Sequence, residues 1–182
     1  MSSTKSSRIQ FFRVLACAGL GTVLFVLFLL YNRPVQRIGG VSPGHALPVI
    51  EAQGWLNGKP PQMSELQGKV LVVDAWATWC FPCRKRAPDL VYLHEKYASK
   101  GVQFIGLTAE PQSQLDAIQR FLKETRITWL NGYGAEGTLT ELGADVIPMV
   151  WVFDRNGTVV WNEESTESLD HAIANAIESA GP

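Results

Sequence analysis

Hydrophobic positions recur along this chain with several distinct periods, and each period predicts an element. From Val14 to Tyr31 apolar and small residues run without a charge, close to the roughly 20 residues a helix needs to cross a bilayer. Residues 32–45 follow neither period and are rich in Gly and Pro, which predicts a linker. Val49 to Leu56, followed by Asn57-Gly58, predicts a β-hairpin leading to a short turn at Ser64-Glu65-Leu66. Val70 to Trp76 is a near-continuous apolar run broken by Asp74, the pattern of a strand covered on both faces. A helix then begins near Phe81, with Ala87, Leu90, Leu93 and Tyr97 at helical spacing and Pro88 inside it, where a kink is expected.

The same alternation continues to the end of the chain. Val102 to Leu107 predicts a second central strand, and Leu115, Ile118 and Leu122 a second long helix. Ile127 to Leu130 predicts a short edge strand, and Gly137 to Leu142 a further helical turn. Met149 to Phe153 and Thr158 to Trp161 flank Asn156-Gly157, a strong local hairpin signal. Leu169, Ile173 and Ile177, with Ala172, Ala176 and Ala180, form one apolar face of a closing helix. The predicted class is therefore α/β, one domain of ordinary size behind an N-terminal segment.

Charge changes the picture mainly at the N-terminus. Lys5, Arg8 and Arg13 precede the apolar stretch, and no acidic residue occurs before Glu51. A cleaved signal would have a shorter core and small residues after it, whereas Leu29-Leu30 leads into Tyr31-Asn32-Arg33-Pro34. The expected organisation is a basic cytoplasmic tail over 1–13, a transmembrane anchor over 14–31, a linker over 32–45 and a folded domain over 46–182 facing outward. The whole chain carries a formal charge of -1, so nothing in its electrostatics points to nucleic acid.

The chemistry concentrates at Cys80-Phe81-Pro82-Cys83, where the apolar strand gives way to the helix. A cysteine at a helix N-terminus has unpaired backbone N–H groups and the positive end of the helix dipole to stabilise its thiolate, and Arg84, Lys85 and Arg86 add positive charge nearby. Cys80 is thus the expected accessible nucleophile. Cys83, one turn on, can attack the mixed disulfide it forms. A zinc site would need further ligands, but Cys17 lies in the apolar stretch and His45, His94 and His171 are scattered. Asp74, within an apolar strand, is expected to have a raised pKa and to serve as proton acceptor for Cys83. Trp79 is expected to lie over the site as an apolar contact for partners, and Trp76 to pack in the core.

These pieces together resemble thioredoxin, and more narrowly the membrane-anchored extracytoplasmic thioredoxins of the TlpA and ResA type, over about Gly44 to Ser179. Asp74 stands six residues before Cys80 and Pro88 five after Cys83, matching the buried acid and helix proline of that family. Ile147-Pro148 looks like its cis-proline, and Gly44 to Lys69 resembles the extra N-terminal hairpin of the anchored subgroup. Glu110 falls where the subgroup places an acid near the cysteine pair. The Phe-Pro dipeptide departs from the family's Gly-Pro and Glu-Pro, and leaves the redox poise open.

The resemblance implies a thioredoxin fold, a central mixed sheet flanked by helices, with the hairpin as an extension and the transmembrane helix ahead of it. It implies a thiol–disulfide oxidoreductase whose only redox group is the Cys80–Cys83 pair, with no separate cofactor and no metal. Cys80, Cys83, Asp74 and Glu110 would be its reactive groups, and Trp79, Phe81, Pro82, Ile147 and Pro148 its substrate surface. Its partners would be exported protein thiols and disulfides, among them cytochrome c or copper-site cysteines, and a membrane electron donor. Two alternatives remain: the pair could hold Cu(I) as a metallochaperone, or act as oxidant in an oxidising compartment. A peroxidase would need a threonine and proline ahead of the attacking cysteine at an offset that Thr78 does not have.

Overall fold

In the computed structural model, residues 39–179 are described, together with Phe28 alone further upstream. The expected tail and span over 1–31, Phe28 apart, and residues 32–38 of the linker lie outside the described residues. No helix among the described residues is long and apolar enough to cross a membrane.

Strands and helices follow one another as β1 (Gly54–Leu56), α1 (Met63–Leu66), β2 (Leu71–Ala75), α2 (Phe81–Tyr97), β3 (Gln103–Thr108), α3 (Leu115–Thr125), β4 (Leu130–Tyr133), α4 (Glu136–Glu141), β5 (Met149–Phe153), β6 (Val159–Trp161) and α5 (Leu169–Glu178). Six strands form one mixed sheet in the order β1-β4-β3-β2-β5-β6. β2, β3 and β4 run parallel, while β1, β5 and β6 are antiparallel to their neighbours.

β2 is central because both its faces are apolar. Alternation along a strand sends successive side chains to opposite faces. Val72 and Trp76 join the core formed with Cys83, Ala87 and Leu90 of α2, Ile118 and Phe121 of α3, and Ile173 of α5. Leu71, Val73 and Ala75 join the opposite core, with Leu66 of α1 and Leu139 of α4. Asp74 lies between Val72 and Trp76 in this alternation, so it faces α2. All five residues of β2 are buried, as are all five of β5.

Three expectations are corrected here. Val49 to Leu56 does not form a hairpin: β1 pairs with β4, Gly54 opposite Tyr133 and Leu56 opposite Asn131. Asn57, with φ of 62°, turns the chain away, and its amide donates to the carbonyls of Ile127 (3.2 Å) and Trp129 (3.1 Å). The expected edge strand at Ile127 to Leu130 accordingly starts later and is internal, because β1 covers its outer side. Residues 39–45, expected as linker, are laid on the domain: Val41 N–H donates to Leu142 (2.9 Å) and Gly44 N–H to Val159 (2.8 Å), and Asn162 donates to the Val41 carbonyl (3.1 Å). Polar, glycine-rich backbone carries no periodic signal, yet its amides still need acceptors.

Candidate active site

Cys80 and Cys83 are joined in a disulfide, with Cα atoms 5.3 Å apart. Cys80 is the N-cap of α2, and its sulfur accepts a hydrogen bond from the Cys83 backbone N–H at 3.1 Å. Pro82 occupies the first turn, where a missing N–H costs nothing. This places the sulfur on an unpaired amide at the positive end of a 17-residue helix. The expected exposure of Cys80 is not found: it is 4% exposed and Cys83 5%. What stands open is the rim, since Trp79 is 74% and Phe81 64% exposed on either side of Cys80.

The three cations after Cys83 also differ from expectation. Arg84 pairs with Glu124 (2.7 Å) and lies over the Phe121 ring. Lys85 lies over Phe81, and Arg86 pairs with Glu163. Two of the three charges are therefore offset by carboxylates, whereas Lys85 over the uncharged Phe81 ring is not, and the helix end and the Cys83 amide act on a Cys80 thiolate alongside it.

Asp74 is buried beneath α2, and burial pushes its pKa up to about 7, with Arg86 opposing and Glu163 adding to the shift. It can therefore exchange a proton near neutral pH. Trp76 is buried as expected; its indole stacks on Phe121 at 4.4 Å and donates to Asn131 Oδ1 at 3.0 Å. Gly106, across the sheet from Asp74, leaves room for this bond, because a Cβ there would lie 2.0 Å from Asn131 Oδ1.

Glu110, expected near the cysteine pair, lies beside the loop that leads to Cys80 and is tied to it by hydrogen bonds. It is 6% exposed, and its carboxylate accepts from the Thr78 N–H (2.8 Å), the Thr78 hydroxyl and the Thr108 hydroxyl (3.1 Å). These bonds fix the Ala77-Thr78-Trp79 loop that delivers Cys80 to the helix start. The Ile147–Pro148 peptide is cis. Ile147 shares a cavity of about 380 Å³ with Trp76, Trp79, Glu110 and Val146. Neither that cavity nor a second, of about 480 Å³ beside His94 and Trp129, is lined by a cysteine.

Sequence reasoning missed Thr78, Asn131 and Glu163. Each acts through a partner distant in the chain, Glu163 through Arg86 77 positions away, and leaves no local pattern. Among the described residues, no group of three or more His, Cys, Asp or Glu is placed to hold a metal ion.

A family model described as Redoxin matches residues 42–177. The chain is 26% identical over 175 residues to the thiol-disulfide oxidoreductase ResA of Bacillus thuringiensis subsp. konkukian, covering 93% of this chain and 96% of that relative. It is likewise 26% identical to ResA of Bacillus subtilis over 153 residues, 82% of this chain and 84% of the relative. Among solved structures, the thiol:disulfide interchange protein DsbE of Chlorobium tepidum superposes with a TM-score of 0.64 at 25% identity, covering 75% of this chain and 99% of that one.

Proposed function

The chain belongs to the Redoxin family and is a thiol–disulfide oxidoreductase, and from that premise we propose that it works as a reductase of disulfides in exported proteins. The observation that carries the mechanism is the Cys83 N–H held on the Cys80 sulfur at the helix cap. In the reduced protein that amide favours the Cys80 thiolate, which attacks a substrate disulfide; one sulfur leaves as thiolate and a mixed disulfide remains on Cys80. Asp74 takes the Cys83 proton, and the Cys83 thiolate attacks the Cys80 sulfur, breaking the bond to substrate. The substrate gains two electrons, and the protein returns to its disulfide form. A membrane dithiol donor then supplies two electrons and two protons to reset it.

Trp79, Phe81, Pro82, Ile147 and Pro148 form the substrate surface in this reading, supported by the exposure of Trp79 and Phe81 beside the buried disulfide. The uncharged stretch Val14 to Tyr31 behind three basic residues supports a single-pass anchor, with the domain on the extracytoplasmic side. Substrates with paired cysteines, such as cytochrome c precursors or copper-site proteins, suit this placement.

Direction is tested by equilibrating the protein with glutathione. A potential near thioredoxin's, about −270 mV, fits a reductase, and one near about −120 mV makes the protein an oxidant instead. Cys83→Ala, which stalls the mixed disulfide on Cys80, identifies the substrates: exported dithiol proteins are expected, and a cytoplasmic set contradicts the placement.

A further inference from the structure

Arg86 sits one turn beyond Cys83 on α2, and residues three apart on a helix share a face. Its guanidinium donates to Glu163 Oε1, and the same oxygen accepts the Val150 N–H at 3.1 Å. Val150 is the residue directly opposite Asp74 in the antiparallel pairing of β2 and β5. The ion pair thus bridges the cysteine-bearing helix and the strand beside Asp74, with both side chains only 24% exposed. Charges so placed are weakly screened and act on a buried neighbour.

We propose that Arg86 and Glu163 are a positioning pair that governs when Asp74 can accept the Cys83 proton, and hence the pH range in which the mixed disulfide is resolved. The proposal rests on the reading of Asp74 as proton acceptor. The two charges act on Asp74 with opposite signs, Arg86 favouring its carboxylate and Glu163 its protonated form. Burial of Asp74 remains the larger effect. The charged groups acting on Asp74 are Arg86 from α2 and Glu163 from beyond β6; Cys83 belongs to the core on the same face of β2, β3 presents the uncharged Gly106, and Arg84 is engaged by Glu124. Held together, the two oppose each other, Arg86 the stronger; removing either member leaves the other unopposed. Glu163 has a second task, tying the Val150 amide, so its neutral isostere Gln preserves an acceptor there while deleting the charge.

The step being tuned balances simply. The Cys83 thiol proton passes to the Asp74 carboxylate, the Cys83 thiolate forms a bond to Cys80 and displaces the substrate sulfur, and that thiolate is protonated on release.

The test is the pH profile of mixed-disulfide resolution in the full chain, followed by stopped-flow with a small aromatic disulfide as probe. Arg86→Gln should move the midpoint upward and Glu163→Gln downward, each by about one pH unit, a tenfold change in proton affinity. Arg86→Lys, which keeps the charge, should leave it within a few tenths of the parent. Opposite displacements support the proposal, and any other pattern, including equal loss of rate at all pH values, overturns it. Asp74→Asn separates the two layers. If it abolishes the pH step while the Arg86 and Glu163 variants leave that step in place, only the pair is wrong. If Asp74→Asn leaves the step unchanged, the reading of Asp74 fails and the proposal with it.

Discussion

The Cys83 backbone N–H donates to the Cys80 sulfur at 3.1 Å, so the resolving residue also stabilises the nucleophile whose sulfur it later attacks to release the substrate. The bond exists because Cys80 is the N-cap and Cys83 the third helical residue, the spacing at which a cap acceptor meets a backbone donor. Two residues between the cysteines therefore serve both the disulfide and the cap.

Asp74 links proton affinity to stability. Its native pKa, raised to about 7 from an ordinary 3.8, means the folded state binds a proton that the unfolded state releases between these values. Stability is therefore lost as pH rises from about 4 through about 7, and stays lost above it. Asp74→Asn should leave stability little changed near pH 3 and raise it above pH 7 by up to about 4 kcal/mol, while slowing resolution. Denaturant unfolding at both pH values checks this; equal effects at pH 3 and pH 8 would contradict it.

Glu110 holds the loop before Cys80 through its bonds to Thr78, and whether it also carries a proton is read from a pH profile. Glu110→Gln keeps part of the hydrogen bonding to Thr78 and Thr108 but replaces a charged acceptor, and should cost about 1–3 kcal/mol in stability. Substrate reduction should slow severalfold at every pH, with the midpoint of its pH profile in place. A displaced midpoint in steady-state reduction would restore Glu110 as a proton carrier.

Gly106 is held by close approach. Gly106→Ala would drive a methyl into Asn131 Oδ1 and towards Trp76 Nε1, breaking the bond that orients the indole beneath the site. A loss of about 1–3 kcal/mol is expected, with a change in the fluorescence of Trp76 that is absent in a Trp76→Phe background. Thermal unfolding within a degree of the parent would show that the bond can rearrange without cost.

Much of the fold was legible because the informative stretches carry their own signal. The apolar run from Val70 to Trp76 marks a strand covered on both faces, and Asn156-Gly157 joins β5 to β6 as expected. Ala87, Leu90, Leu93 and Tyr97 are the buried face of α2. The cysteine pair, Asp74 and Pro148 were readable from spacing and resemblance. Pairings between distant segments were not. Periodicity reveals which face of a segment is covered but not by what, so β1 was assigned to its neighbours rather than to β4. Arg84 and Arg86 looked like part of a field around the cysteines because Glu124 and Glu163 approach them only in the folded chain. Glu110 was placed near the cysteine pair by resemblance alone, because Thr78 and Thr108 become its partners only through the fold.

The most direct test of the account is alkylation of the reduced protein with iodoacetamide across pH, with the modified cysteine identified by mass spectrometry. A sulfur held on the Cys83 amide at a helix cap should be a thiolate well below the ordinary thiol pKa of about 8.5. Cys80 should therefore be modified first, with a midpoint at least one pH unit below that value, and Cys83 only later. Faster modification of Cys83, or a Cys80 midpoint at or above about 8.5, would contradict the assignment of Cys80 as the attacking group.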